Sequence, residues 1–175
     1  GTSTCTGNFR IGQVGESESY FADDFFQGYI SDFYVSKTAE YTANFTLPTS
    51  PVGNTNADTY LPMDNAGIYN KTGNPNLITV SSGTGGTPSA NTTYTKYAAA
   101  SIYFPGGGSR TSGPHLRLPS KFASFGATNW THEFWMYVDS LPSSVNQGIA
   151  GNNNANNYMS EFRLVLRTDG KLDFN

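Results

Sequence analysis

The sequence predicts an all-β protein of the sandwich or barrel kind, and three observations carry that reading. Aromatic residues make up 14% of the 175 residues, with 11 Tyr and 12 Phe, while charged residues make up only 13%. Gly, Pro, Ser, Thr and Asn are plentiful, and these are the turn formers that many short strands require. No segment carries a long helical period, whereas 28–36 and 130–139 alternate as strands do.

Taken in order, Asn8-Phe9-Arg10-Ile11-Gly12 reads as a short strand ending at a glycine, followed by the polar loop 13–19. Residues 20–26 set Asp23-Asp24 between aromatics and lead into the strand 28–36. There, Tyr29, Asp32 and Tyr34 do not fit one alternation with Ile30, Phe33 and Val35, which predicts a bulge or burial on both faces. Residues 38–42 are too short and Thr-rich for a helix and read as a turn. The stretch TSPVGNTNAD, 49–58, combines Pro, Gly and small polar residues with one apolar side chain, as linkers do.

A second run starts at 59–64, where Pro62 points to an edge position. Apolar residues 77–80 form the next burst, and 81–90 read as a flexible loop. Residues 97–104 contain three alanines, yet Ile102-Tyr103-Phe104 and the closing Pro105-Gly106-Gly107-Gly108 favour a strand. His115-Leu116-Arg117-Leu118-Pro119 alternates briefly. The clearest strand is 130–139, with Trp, His, Phe, Met and Val on one side and Thr, Glu, Trp and Tyr on the other. Aromatics on both sides predict a central strand covered on both faces. After an Asn-rich loop at 151–157, residues 161–166 alternate, and Asp169-Gly170 turns the chain into 171–174 as a hairpin.

Composition excludes several functions. A net charge of −3 without any Lys/Arg cluster does not provide the basic footprint that nucleic acid requires. No apolar run approaches the length of a membrane span. The single Cys5 cannot form an intrachain disulfide and leaves no cysteine set for structural zinc; it reads as a small buried strand residue. The chain starts Gly-Thr-Ser-Thr-Cys, which reads as internal to a longer polypeptide or as a processed end. Asn44, Asn70, Asn91 and Asn129 head sequons, a chance outcome in a chain this rich in Asn and Thr.

Several of these pieces resemble a known family. Tyr60-Leu61-Pro62-Met63-Asp64, then 94–104 (YTKYAAASIYF), His115-Leu116-Arg117-Leu118-Pro119, Phe122-Ala123-Ser124-Phe125-Gly126 and 130–138 follow the order of a laminin-G-like domain of the concanavalin A-like lectin/glucanase superfamily. The most specific piece is Glu133-Phe134-Trp135-Met136-Tyr137-Val138. Residues 8–12 resemble a late strand of such a domain, 28–36 its final long strand and 41–51 its exit. Tandem copies of this kind resemble those of tailed-phage structural proteins, tail fibres and related virion appendages.

The resemblance implies an antiparallel jelly-roll sandwich, concanavalin A-like, within a tandem-repeat chain. Residues 1–51 would be the C-terminal part of one repeat, 52–58 a linker and 59–175 the N-terminal part of the next; the alternative is one permuted domain. The function it implies is a non-enzymatic structural and recognition module of a virion, with other repeats, virion proteins and a host-surface glycan as partners. The alternatives are a carbohydrate-binding module of a secreted or surface hydrolase, and a glycosidase whose catalytic strand lies elsewhere.

The residues themselves give little chemistry. Glu133 and Asp139 share one side of a strand about 20 Å apart, too far to act on one glycosidic bond. His132, set among aromatics, reads as a sheet histidine, and no nucleophile-elbow motif occurs. No catalytic residue is assigned. By the resemblance, Asp23, Asp24 and Asp64 are the candidate ligands for calcium at a rim loop. Against this, the loop that carries an acidic turn in many relatives reads Gly106-Gly107-Gly108-Ser109-Arg110-Thr111. For carbohydrate, Tyr158 with Asn154 in the neighbouring loop offers a stacking ring beside an amide.

Overall fold

A computed structural model describes residues 9–14, 24–51, 53, 55–63, 79–83, 85–107, 113–118, 129–154 and 157–174. Of Asp24, Thr79, 152–154 and 157–162 it describes the backbone alone. The described chain is all-β and contains no helix. Its strands are β1 (Phe9–Ile11), β2 (Asp24–Phe25), β3 (Gln27–Ser36), β4 (Thr59–Leu61), β5 (Thr79–Ser81) and β6 (Ser89–Asn91). They continue with β7 (Ser101–Pro105), β8 (His115–Leu118), β9 (Thr131–Tyr137), β10 (Gln147–Asn154), β11 (Asn157–Leu166) and β12 (Leu172–Phe174).

Two sheets form a sandwich. The first runs β12-β11-β10-β1-β8-β5 and is antiparallel, apart from the short β2, which adds to β10 in parallel. The second is built on β3 and is antiparallel throughout. One edge of β3 carries β9, and the other carries β7 along its first half and β4 along its second. Residues from either side of 52–58 thus share both sheets: β1 lies between β10 and β8, and β3 lies between β9 and the β7/β4 pair.

The core between the sheets draws Phe9, Ile11, Leu116, Leu118, Ile149 and Leu164 from the first. It meets Ile30, Phe33, Val35, Leu61, Ile102 and Phe104 from the second. Each ring or branched chain fully removed from water contributes about 2–3 kcal/mol. Gly12 lets β1 leave the sheet. Its φ of +90° suits glycine, its N–H bonds Ile149 O at 2.6 Å, and a Cβ there would overlap the Phe104 ring.

The irregular alternation of 28–36 is resolved by a bulge at Asp32, whose φ is +51°. Pairing with β9 is regular through Ser31↔Trp135 and resumes at Tyr34↔Glu133, with one extra residue on β3. The inserted residue lets Ile30 and Phe33 both face the core, while Tyr29 and Tyr34 both face outward. The buried Asp32 carboxylate accepts the Tyr60 hydroxyl at 3.0 Å, tying the bulge to β4.

Four local expectations differ from the structure. The loop expected over 81–90 is shorter, because Ser81 pairs in β5 and Ser89 and Ala90 pair in β6. Residues 151–154 belong to β10 rather than to a loop, because β1 and β11 pair on either side of them. The alanine run 98–100 precedes β7 instead of opening it. Among the described residues β9 pairs only with β3, and its outward row is partly open, so its two aromatic sides are not both covered.

Candidate functional site

A group of tyrosines gathers on the outer face of the five-stranded sheet, and strand register puts three of them there. Tyr29 of β3 has Tyr103 of β7 on one side and Tyr137 of β9 on the other, so three phenols cross three strands in a row. Their ring centroids are 4.8 Å (Tyr29–Tyr103) and 5.8 Å (Tyr29–Tyr137) apart. Tyr94, from the loop after β6, packs on this row, 4.6 Å from Tyr29 and 4.3 Å from Tyr137, with planes 18° apart in the latter pair. Aromatic pairs at such separations each add about 0.5–1.5 kcal/mol beyond burial.

Tyr94 is placed by its own loop. The Asn91 Oδ1 accepts the backbone N–H of Thr93 at 2.8 Å and of Tyr94 at 3.1 Å, an Asx-type turn at the end of β6. Between the loop and β9 lies a groove of about 210 Å³, with Trp135, Met136 and Tyr137 on one side, residues 93–96 on the other and Tyr29 and Ser31 from β3. Tyr137 is 46% and Tyr94 39% exposed, so the platform is open to solvent.

Its electrostatics are set by two charged groups. The Lys96 ammonium lies 5.4 Å from the Trp135 ring centroid and 5.5 Å from that of Tyr97, within cation–π range. The Trp135 indole N–H is out of contact with solvent and has no hydrogen-bond partner. Burial first, then the Asp139 carboxylate, raises the Tyr29 phenol above its ordinary pKa. Tyr137 is raised chiefly by its neighbour Tyr94. Both phenols stay neutral at physiological pH and can donate hydrogen bonds.

The other half of the same face is closed by the segment that follows β3. Glu40 accepts hydroxyls from Thr38 at 2.7 Å, Tyr34 at 2.9 Å and Ser36 at 3.0 Å. These bonds, led by the one from Thr38, hold its carboxyl below the usual pKa. The Glu40 N–H donates to Thr131 Oγ1 at 3.0 Å, and Tyr41 donates to Glu133 at 2.6 Å, so residues 38–41 strap across β3 and β9. Burial, followed by the bonds to Glu40 and Glu133 respectively, pushes the Tyr34 and Tyr41 phenols up to about 12.

The residues singled out from sequence fare differently. Glu133 is the acceptor for Tyr41, and Asp139 follows β9. His132 faces the core, its ring 6.1 Å from both Phe9 and Phe33 and 5.1 Å from Trp130, and burial lowers its pKa to about 3. Asp23 and Asp64 lie outside the described residues, as do the side chains of Asp24, Asn154 and Tyr158; β11 carries Tyr158, and Asn154 pairs with Asn157. Among the described residues no group of three His, Cys, Asp or Glu could hold a metal ion. No helix among them is long and apolar enough to cross a membrane. The sequence reading missed Tyr29, Tyr94, Tyr103, Tyr137, Trp135 and Lys96 as a site. The outward alternation of 130–139 was its one available signal.

The fold and site define an all-β sandwich with an open aromatic groove on one outer face. No protein-family model, curated protein or solved structure matches this chain.

Proposed function

We propose that this chain is a non-enzymatic structural and recognition module that contacts host-surface glycans through the tyrosine groove. The observation that carries the reading is the row Tyr103, Tyr29 and Tyr137 with Tyr94 packed on it, where Tyr94 and Tyr137 are exposed beside the hydroxyls of residues 93 and 95. Sugars offer apolar C–H faces to flat rings and hydroxyls to nearby polar groups, which is the chemistry this surface presents. Two carboxylates of this face, Glu40 and Glu133, are engaged by hydroxyl donors in holding the strap, which supports a recognition role over a hydrolytic one.

The setting follows from the resemblance of 8–51 and 60–138 to laminin-G-like repeats. On that reading the sandwich is a jelly roll in a tandem array on a phage virion appendage or fibre. Its partners are other copies or repeats of the same protein, virion proteins and a glycan of the host surface. The remaining expectation, calcium near Asp23, Asp24 and Asp64, belongs to the same reading.

A glycan array probed with the wild-type chain and with the Tyr94→Ala/Tyr137→Ala double variant tests the proposal. It expects binding to a subset of glycans that is lost in the variant while the melting temperature is kept. Absence of binding to every glycan, or binding that the variant leaves unchanged, would overturn it. Self-association that the variant abolishes would instead make the groove a contact between copies.

A further inference from the structure

We propose that a second copy of this chain docks along the open edge of β9, adding its segment 44–47 there as a strand with Phe45 and Leu47 turned onto β12. The inference rests on the part of the proposed function that makes other copies partners, and it is independent of the tyrosine groove.

The receiving side follows from register. Leu172 and Phe174 of β12 lie directly opposite Leu166 and Leu164 of β11, so all four side chains share the face of the sheet that meets the core. Leu164 and Leu166 are buried, whereas Leu172 and Phe174 are about half exposed. The first sheet therefore reaches further than the second one covers. Its β1 packs over β3 through Phe9 and Phe33, and β12 stands three strands from β1, on the β9 side. Phe174 lies 4.9 Å from Trp130, which precedes β9, while Leu141, which follows β9, lies beside Gly170 at the start of β12. The apolar ledge of β12 thus runs alongside β9. Among the described residues β9 pairs only with β3, and it carries no Lys or Pro of the kind that guards an edge. An open edge beside an apolar ledge suits the addition of one extended segment.

The chain itself presents such a segment. Its loop after β3 is closed at the base by the Lys37 N–H, which donates to Asp58 Oδ2 at 2.8 Å. Within that loop, 44–47 belongs to no strand and exposes Phe45 at 56% and Leu47 at 65%, the most exposed large apolar side chains among the described residues. Asn44-Phe45-Thr46-Leu47 alternates and is uncharged, so as a strand it sets Phe45 and Leu47 on one face at the spacing of Leu172 and Phe174. Pro48 then ends the run. A copy does not fill its own edge. Tyr41 is bonded to Glu133 on the outer face of β9, and Phe45 stacks on Tyr41 at 4.2 Å, so the segment stays on the side away from the inward-facing ledge. Donor and receiver are different surfaces, and a contact of that kind propagates from copy to copy.

Sedimentation velocity over a concentration series of the full chain tests the proposal. The wild type is expected to associate as concentration rises. Phe45→Ser/Leu47→Ser and, separately, Leu172→Lys should each weaken association by about tenfold or more, with melting temperatures kept. Each variant retains the surface that the other has lost, so their equimolar mixture should form a heterodimer although neither associates alone. Tyr94→Ala/Tyr137→Ala should associate as the wild type does. A chain that stays monomeric at every concentration, association that survives either surface variant, or a mixture without heterodimer overturns the proposal. Loss of association in the tyrosine variant overturns it as well, by moving the contact to the groove. Absence of glycan binding with this association intact overturns the glycan reading alone.

Discussion

Tyr94 lies nearly parallel to Tyr137, with ring centroids 4.3 Å apart, although one belongs to a loop and the other to β9. The loop is turned by the Asn91 side chain, which accepts two successive backbone N–H groups. Asn91→Ala should therefore loosen the platform and weaken glycan binding about fivefold, as loss of about 1 kcal/mol of hydrogen bonding implies. Asn91→Asp keeps the acceptor and should bind as the wild type does. Titration calorimetry with an array-identified glycan reads the difference, and equal affinity of the alanine variant would separate the turn from the site.

Asp32 makes the outer face possible by inserting one residue into β3. Asp32→Ala must hold a positive φ without a side-chain acceptor and loses the buried bond from the Tyr60 hydroxyl. The expected loss is about 2–4 kcal/mol in urea unfolding, with Asp32→Asn losing less because Asn tolerates that φ and still accepts a bond. Tyr60→Phe should lose about 1 kcal/mol. If Asp32→Ala and Asp32→Asn unfold at the same denaturant concentration as the wild type, the bulge is not held by this pair.

The Asp32 bulge and the hairpin at Asp169-Gly170 were legible in the sequence for local reasons. Tyr29-Ile30 and Phe33-Tyr34 cannot share one alternation without an extra residue, and Asp-Gly makes the turn in which Gly170 adopts a φ of +78°. Residues 151–154 were misread because Gly and Asn disfavour strands locally, whereas β1 and β11 pair on either side of β10. The tyrosine row was not legible. Each phenol is visible alone, but the row exists only because β3 pairs with β7 on one edge and β9 on the other, and no local pattern encodes that register.

His132 should make the fold acid-sensitive before the carboxylates titrate. Its ring nitrogens are out of contact with solvent, and its pKa is lowered from 6.5 to about 3. The unfolded chain then takes up the proton first, so stability present above pH 6.5 falls as pH drops toward 3. The slope is roughly 1 kcal/mol per pH unit. Between pH 6.5 and 5 the His132→Phe variant should show a flatter dependence in urea titrations. Identical slopes would remove His132 as the cause.

The strap should fail at high pH. Tyr34 and Tyr41 are raised from 10 to about 12 in the folded chain, so the stability they contribute is complete below pH 10 and lost as pH rises toward 12. Tyr34→Phe lacks the bond to Glu40, should be about 1 kcal/mol less stable at neutral pH, and should lose less between pH 10 and 12 than the wild type. Thermal melts across that range check it, and a parallel decline in both proteins would rule out the phenol.

The central claim concerns one place on the surface, and the chain's two tryptophans report on it separately. Trp135 lines the groove, whereas Trp130 packs against His132 and Phe174. In a ¹H–¹⁵N correlation titration with an array-identified glycan, the Trp135 indole resonance should shift in proportion to occupancy while that of Trp130 stays in place. An unmoved Trp135 indole at saturating glycan, or a shift confined to Trp130, would contradict the assignment of the tyrosine groove as the binding site.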